Sequence, residues 1–154
     1  MHNFPEHTSD IPLDELLKLE NQLCFPLYVC SKEIVRRYTP YLNELGLTYT
    51  QYLVMMALWE YGSMTVSELG ERLYLDSGTL TPLLKKLEAR GLLTRVRSDE
   101  DGRRVDVALT AEGQAMKEAA RKVPLAMGQC IDIGPEDAAE LVRILRKMLL
   151  AMND

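Results

Sequence analysis

The sequence predicts a mainly α-helical chain: a winged helix-turn-helix with N- and C-terminal helices that form a dimerisation region. Three observations lead to this fold class. Two capping-box motifs, TYTQ and TVSE, open helices in quick succession. After a third helix pattern, the period changes to the alternation of a β-hairpin. Apolar stripes at helical spacing lie near both ends of the chain.

The length of 154 residues corresponds to about one domain. Residues 1–9 lack periodicity and are expected to be a flexible tail, and residues 10–154 to form a single domain. The winged helix-turn-helix should span about 48–110. The dimerisation helices should span about 12–44 and 111–152, because their stripes need a second copy of the chain to bury against.

The first helix pattern begins at Leu13 and carries an apolar stripe at three- and four-residue steps. Pro26 lies inside this pattern and is expected to kink or split the helix close to Cys24. Pro40 and Gly46 mark the predicted end. The stripe contains Leu13, Leu17, Cys24, Leu27, Ile34 and Tyr38.

The helix-turn-helix follows from the two capping boxes. Thr48 caps a helix that runs to about Tyr61, and Thr65 caps a short helix that runs to about Leu73. After a brief turn, SGTLTPLLKKLEARG predicts the second helix of the motif, and Gly91 closes it. Pro82 fits this helix at little cost only within its first turn. The predicted inward face is Leu80, Leu83, Leu84 and Leu87.

The hairpin and the last helices complete the order. LLTRVR and RVDVALT alternate as strands, with Asp101-Gly102 at the turn between them. Thr110 caps the next helix, which Pro124 interrupts or bends before Cys130. Pro135 begins a last helix with an apolar stripe. That stripe is Leu141, Ile144, Leu145, Met148, Leu149 and Met152.

Charge and composition limit the possible functions. The net charge is −5, but residues 76–104 hold seven Lys or Arg and five Asp or Glu. A modest basic face on an acidic body is compatible with DNA binding. No segment approaches the roughly 18 apolar residues of a membrane span, and the N-terminus does not resemble a signal peptide. These features predict a cytoplasmic protein without membrane contact. The three cysteines and two histidines lack CxxC or HxxxH spacing, so no metal or cofactor is expected.

Candidate DNA-binding residues cluster on the second helix of the motif and on the hairpin. Small hydroxyl side chains at the start of such a helix contact base edges and phosphates in the major groove, and lysines further along reach phosphates. Arginines at a wing tip can enter the minor groove. The alternative is that Ser77 and Thr79 only cap the helix. The candidates are Ser77, Thr79, Thr81, Lys85, Lys86, Arg103 and Arg104.

Cys24 is a candidate reactive thiol. Tyr28 lies one turn later, Tyr38 lies further along the stripe, and Tyr49 lies in the first turn of the next helix. Phenol hydroxyls can donate to a thiolate or to an oxygen on sulfur. A thiolate beside an apolar pocket would react with a peroxide to give sulfenic acid. Spacing alone favours the alternative, in which these residues are simply core.

The chain from about Glu20 to Gly113 resembles the MarR family of winged-helix regulators. The segment RSDEDGRRVDVALTAEG is similar to the Asp-x-Arg wing of that family, followed by its Leu-Thr-x-x-Gly motif. Three further blocks resemble its organic hydroperoxide repressor branch. They are ENQLCF, LTYTQYLVMMALWE and LGERLYLDSGTLTPLLKKLE.

The resemblance assigns roles to these residues. It implies that Cys24 is the peroxidatic cysteine at a dimer interface. Tyr38 and Tyr49 of the partner subunit would hydrogen-bond its sulfur, with Tyr28 nearby. Asp76 would begin the recognition helix together with Ser77 and Thr79. In the wing, Arg103 matches the family's arginine and Asp101 would orient it. Pro26 departs from the family pattern.

The resemblance also implies two redox types, of which one-Cys members need an external thiol. We favour the two-Cys type for this chain. Two-Cys members pair the reactive cysteine with a resolving cysteine of the partner subunit, in the helix after the wing, and Cys130 stands near that place. Cys30 does not qualify. Six residues of continuous helix put it roughly 9 Å along the axis from Cys24, beyond the limit of about 7 Å between the Cα atoms of a disulfide.

The leading hypothesis is therefore a homodimeric repressor that binds a pseudo-palindromic DNA operator and releases it when an organic hydroperoxide oxidises Cys24. A second hypothesis keeps the DNA binding but makes the trigger a small phenolic or lipophilic ligand. A third is a thiol peroxidase. We favour a regulator that is not an enzyme, because the chain lacks the CxxC motif of a thioredoxin-like recycling site.

Overall fold

The computed structural model describes residues 12–97, 104–131 and 133–152. Its helices are α1 Leu13–Leu16, α2 Cys24–Glu44, α3 Tyr49–Tyr61, α4 Val66–Leu73, α5 Ser77–Ala89, α6 Ala111–Ala120, α7 Lys122–Cys130 and α8 Pro135–Ala151. The strands β1 Met64–Thr65, β2 Leu93–Arg97 and β3 Val105–Leu109 form an antiparallel sheet in the order β1-β3-β2. The predicted mainly α-helical winged helix-turn-helix is confirmed. The predicted N-terminal tail and the Asp101-Gly102 turn lie outside the described residues.

The core lies where α3, α4 and α5 pack against the sheet. Leu69 of α4, Leu80 of α5 and Val107 of β3 are fully buried there. The inward face predicted for α5 is buried as a whole. The two-residue strand β1, which the sequence did not reveal, pairs Met64 with Val107 and attaches the start of α4 to the hairpin. The helix-turn-helix and the wing therefore share one core, which fixes their relative orientation.

Both predicted capping boxes are complete. The Thr48 hydroxyl accepts from the Gln51 backbone N–H at 3.3 Å, and the Gln51 side chain accepts from the Thr48 N–H at 2.9 Å. Thr65 and Glu68 repeat this arrangement at the start of α4. Because each motif satisfies otherwise free backbone donors locally, it sets the start of its helix.

Of the two outcomes predicted at Pro26, a kink or a split close to Cys24, the structure shows a split and no kink. The pattern that begins at Leu13 breaks after the short α1, and a separate helix begins at Cys24. Pro26 is therefore the third residue of α2, where a backbone N–H would have no intrahelical acceptor. A proline there costs little and bends nothing.

The predicted end of this helical region at about residue 44 agrees with the structure, in which Gly46 rather than Pro40 marks it. Pro40 lies inside α2, which continues to Glu44. Leu42, only 1% exposed, anchors this last part of the helix in the core. The true end comes at Gly46, whose positive φ of 63° lets the Leu47 N–H bond the Leu42 carbonyl at 2.9 Å.

The other two helix prolines have different outcomes. Pro82 is the sixth residue of α5, beyond the first turn that the sequence required for it. Buried Leu80, Leu83 and Leu84 hold the helix on both sides of it. Pro124 interrupts the helical region as predicted, because α6 ends at Ala120 and α7 begins at Lys122.

Both ends of the chain present uncovered apolar side chains. No described residue of α1 or α8 is buried, and α2 buries only Leu42. Such patches on a single chain mark an interaction surface. The large exposed apolar side chains of these segments include Leu13, Leu17, Leu19, Leu23, Phe25, Tyr28, Leu141, Val142, Ile144, Leu150 and Met152. Within the described ranges, no helix has both the length and the apolar content needed to cross a membrane.

Candidate functional site

The start of α5 is organised by Asp76. Its carboxylate caps the helix by accepting from the Thr79 backbone N–H at 2.9 Å and from the Thr79 hydroxyl at 2.8 Å. The bond from the Thr79 hydroxyl, followed by the one from its N–H, lowers the pKa of Asp76 below its ordinary value. The hydroxyl proton of Thr79 is thus used within the helix start, whereas Ser77 and Thr81 face an open cleft.

The turn before α5 fixes the angle between the two helices of the motif. Tyr74 adopts the left-handed conformation, with φ of 53°, and the Leu75 N–H bonds the Gly70 carbonyl at 2.9 Å. A Cβ atom at Gly70 would lie 2.8 Å from the Leu75 carbonyl oxygen. The close approach explains the glycine at that position, and it holds α5 tightly against α4.

The cleft lies between α4, α5 and the hairpin and has a volume of about 700 Å³. It joins hydroxyl groups and cations from all three elements, which is the chemistry that contacts a nucleic-acid backbone. Its polar and charged lining consists of Thr65, Ser67, Ser77, Thr81, Lys85, Arg95, Arg97 and Arg104.

Four of the predicted DNA-binding residues line this cleft, namely Ser77, Thr81, Lys85 and Arg104. Thr79 and Lys86 are exposed on α5 but are not part of the lining. Arg103 and Asp101 lie outside the described residues. Four residues of the lining were not predicted from the sequence: Thr65, Ser67, Arg95 and Arg97. For the two arginines one signal was available, because they alternate with apolar residues along β2.

One of these arginines anchors the wing rather than presenting a free charge. The Glu88 carboxylate accepts from the Arg95 guanidinium at 2.6 and 3.0 Å and from its backbone N–H at 3.1 Å. The bond from the Arg95 side chain holds the pKa of Glu88 below its usual range. Arg104 pairs with Asp106 at 3.1 Å. The hairpin is therefore tied to the recognition helix through charged groups.

Cys24 is the first residue of α2, and its thiol is free and exposed. Tyr28 lies one turn further along, is 64% exposed, and has the Lys32 ammonium 6.0 Å from its ring centroid. The exposed Phe25 lies beside them in sequence. The predicted thiol thus lies on an open apolar surface of the single chain.

The structure brings Tyr38 and Tyr49 together, with ring centroids 4.9 Å apart. Tyr52, which the sequence reading missed, packs 6.1 Å from Tyr38. Burial raises the pKa of all three phenols, so they keep their protons and can donate hydrogen bonds at neutral pH.

The same chain does not bring these tyrosines to Cys24. Fourteen residues of α2 separate Cys24 from Tyr38, which corresponds to roughly 21 Å along the helix axis. The thiol at the start of α2 is therefore far from Tyr38 and from Tyr49, which packs against Tyr38 from the start of α3.

Cys130 is held at the far end of α2, away from Cys24 of the same chain. Its sulfur lies 3.5 Å from the Tyr41 hydroxyl, and its carbonyl accepts from the Arg37 guanidinium at 2.9 Å. The hydrogen bond with Cys130 raises the pKa of Tyr41. These partners come from long-range packing, and no spacing in the sequence pointed to them.

A further contact connects the helix that carries Cys24 with the recognition helix. Arg90, which ends α5, donates to the carbonyls of Leu45, at 3.0 Å, and Gly46. Those carbonyls belong to the turn that ends α2. Arg90 therefore joins the end of α5 to the turn that ends α2.

A helix-turn-helix whose second helix shares a basic cleft with a β-hairpin defines a winged-helix protein of the DNA-binding class. The MarR family model matches residues 47–105. The chain is 54% identical over 108 residues to the organic hydroperoxide resistance transcriptional regulator of Bacillus subtilis, covering 70% of this chain and 74% of that protein. This chain belongs to the MarR family.

Two solved structures of the regulator AbfR are also similar. The overoxidized form bound to DNA has a TM-score of 0.75 at 36% identity, covering 92% of this chain and 99% of that one. The disulfide form has a TM-score of 0.63 at 38% identity, covering 89% and 96%. Of these two forms, the present chain is more similar in fold to the DNA-bound one than to the disulfide one.

Proposed function

We propose that this chain is a DNA-binding transcriptional repressor that acts in the cytoplasm as a homodimer, is not an enzyme, and releases its operator when an organic hydroperoxide oxidises Cys24. One observation carries the proposal. Cys24 lies roughly 21 Å along α2 from Tyr38 of the Tyr38–Tyr49 pair, so a complete thiol site needs two chains. The uncovered apolar faces of α1, α2 and α8 are the surfaces that a second copy would cover.

The DNA interface follows from the cleft. A two-fold dimer places two α5 helices on successive major grooves of a pseudo-palindromic operator. Ser77 and Thr81 then reach base edges, and Lys85 reaches phosphates, with Lys86 beside it. Arg104, together with Arg103, directs the wing to the minor groove, where negative potential attracts guanidinium groups.

The other two predicted residues of this region orient the interface. Asp76 caps the recognition helix and keeps Thr79 in place. By its resemblance to the wing motif of the family, Asp101 orients Arg103 in the wing.

The sensing chemistry takes place in two steps. The Cys24 thiolate attacks a peroxide oxygen, so that an S–O bond forms, the O–O bond breaks, and the alkoxide takes a proton to leave as an alcohol. Tyr38 and Tyr49 of the partner subunit donate to the sulfur, and Tyr28 borders the site. The Cys130 thiol of the partner subunit then attacks the sulfenic acid, a disulfide forms, and water leaves.

Release of DNA follows from the connection between α2 and α5. A disulfide at the interface displaces α2, and Arg90 carries that displacement into the end of α5. The two recognition helices then no longer match successive grooves.

Lys85→Gln is expected to weaken operator binding because it removes one phosphate contact from the cleft. The slope of log K against log salt concentration should become shallower by about 1, which is the contribution of one phosphate contact. Fluorescence anisotropy on the chain's own upstream DNA, at several salt concentrations, measures this slope. Arg121→Gln is the matched control, since that exposed arginine pairs with Glu118 outside the cleft. Equal slopes for the two variants would contradict the assigned interface.

A further inference from the structure

We propose that Tyr41 and Arg37 form a latch that holds Cys130 on α2 of its own subunit and slows its transfer to Cys24 of the other subunit. The inference rests on the proposed function for the pairing of the two cysteines. Tyr41 and Arg37 act here as positioning residues, since their effect on the reaction passes through Cys130.

Two contacts make the latch. The Tyr41 hydroxyl lies 3.5 Å from the Cys130 sulfur, and the Arg37 guanidinium donates to the Cys130 carbonyl at 2.9 Å. The two residues are four apart on α2 and so share one helix face. Cys130 is the last residue of α7, where backbone carbonyls lack intrahelical partners and a cation is favourable.

Few buried side chains surround Cys130 at the end of α7, so the contacts with Tyr41 and Arg37 contribute much of what holds it on α2. Val123 and Met127 bury the earlier part of α7, but Gly128 and Gln129 are exposed. A Cβ atom at Gly128 would have no neighbour within 4 Å. A cleft of about 210 Å³ borders Tyr41 between α2, α6 and α7. The segment that must move to release Cys130 is therefore short, because it lies between the buried Met127 and Ile131, which packs against the core.

The Cα atoms of a disulfide lie within about 7 Å of each other, and Cys24 of the same chain lies roughly 25 Å along α2 from Tyr41. Cys130 can therefore pair only with Cys24 of the other subunit, and in the proposed sequence it leaves Tyr41 to do so. The hydroperoxide first converts the Cys24 thiol to sulfenic acid and leaves as an alcohol. The latch then opens, the Cys130 thiol of the other subunit attacks the sulfenic sulfur, the S–S bond forms and water leaves.

The first test measures thiol access in the reduced full-length protein. Iodoacetamide labelling is followed by mass spectrometry of the peptides that contain Cys130 and Cys30. Tyr41→Phe, which removes only the hydroxyl, is expected to speed alkylation of Cys130 roughly two- to tenfold, the range that corresponds to one neutral hydrogen bond. Arg37→Met should act in the same direction. The exposed Cys30 is the internal reference and should react at the same rate in every variant.

The second test adds one equivalent of cumene hydroperoxide and separates the two chemical steps. Dimedone trapping reports sulfenic acid at Cys24, and a non-reducing gel reports the disulfide. Tyr41→Phe should leave the first rate unchanged and raise the second by a similar factor. Tyr74→Phe and Arg36→Met are the matched controls, since Tyr74 lies in the α4–α5 turn and Arg36 pairs with Glu33.

The outcomes separate the latch from the proposed function. Unchanged or slower alkylation of Cys130 in both Tyr41→Phe and Arg37→Met overturns the latch, whatever the peroxide does. Faster alkylation without any disulfide in the wild-type protein supports the latch and refutes the pairing of Cys24 with Cys130.

Discussion

Cys24→Ser is expected to keep its operator affinity in the presence of cumene hydroperoxide, whereas the wild-type protein loses affinity by roughly 100-fold, equivalent to about 2.8 kcal/mol. A serine hydroxyl occupies nearly the same space as the thiol but does not take oxygen from a peroxide. The folded dimer and the basic cleft beside α5 should therefore be unaffected. Fluorescence anisotropy with and without one equivalent of hydroperoxide measures both affinities.

Cys30→Ser is the matched control for this comparison, because Cys30 is a second exposed cysteine on the same helix. It should respond to hydroperoxide as the wild-type protein does. If Cys24→Ser releases DNA under hydroperoxide as readily as the wild-type protein, cysteine oxidation is not the trigger. A small phenolic or lipophilic ligand at the interface would then be the better hypothesis.

Gly113→Ala is expected to destabilise the chain by at least about 3 kcal/mol, at the upper end of the usual cost of overpacking. A Cβ atom at this buried position of α6 would overlap the carbonyl of Leu92 and lie 3.2 Å from the Leu109 side chain. The obstacle is backbone, which cannot rotate away. The Gly113 carbonyl also accepts the Trp59 indole N–H at 2.9 Å, so a displaced α6 would break that bond as well.

Urea unfolding followed by the fluorescence of Trp59, the only tryptophan of the chain, reads out this change directly. Gly128→Ala in α7 is the control, since a Cβ atom there meets nothing within 4 Å. It should be stabilising by roughly 0.5–1 kcal/mol, as expected for alanine in place of a helical glycine. A Gly113→Ala midpoint equal to that of the wild-type protein would show that α6 moves aside freely.

Local signals in the sequence predicted most of the fold. Thr48 and Thr65 each carry a capping partner three residues away, so the starts of α3 and α4 depend on nothing distant. At Pro26 the sequence left a kink and a split both open, because the effect of a proline depends on where the helix begins, and the start at Cys24 has no side-chain cap to reveal it. Strand β1 is too short to show alternation and exists through its pairing with β3.

Only part of the candidate site could be predicted from the sequence, because the rest depends on contacts between residues distant in the chain. The DNA-binding roles proposed for Ser77 and Lys85 were predicted from their positions on a helix that the sequence pattern reveals. Arg90, Tyr41 and Arg37 act through carbonyls and a sulfur more than 40 residues away in the chain, which no local pattern encodes. The Cys24 site depends on a second copy of the chain, and the resemblance to the MarR family was the signal that pointed to it.

The most direct test of a redox site shared between two chains uses a mixed dimer. Cys24→Ser and Cys130→Ser chains are each unable to form the Cys24–Cys130 disulfide alone, but their heterodimer holds one Cys24 and one Cys130 on opposite subunits. One equivalent of cumene hydroperoxide should give the heterodimer a covalent band on a non-reducing gel and release its operator. Neither homodimer should show such a band. A heterodimer that stays uncrosslinked and DNA-bound, while the wild-type protein releases DNA, would contradict the account.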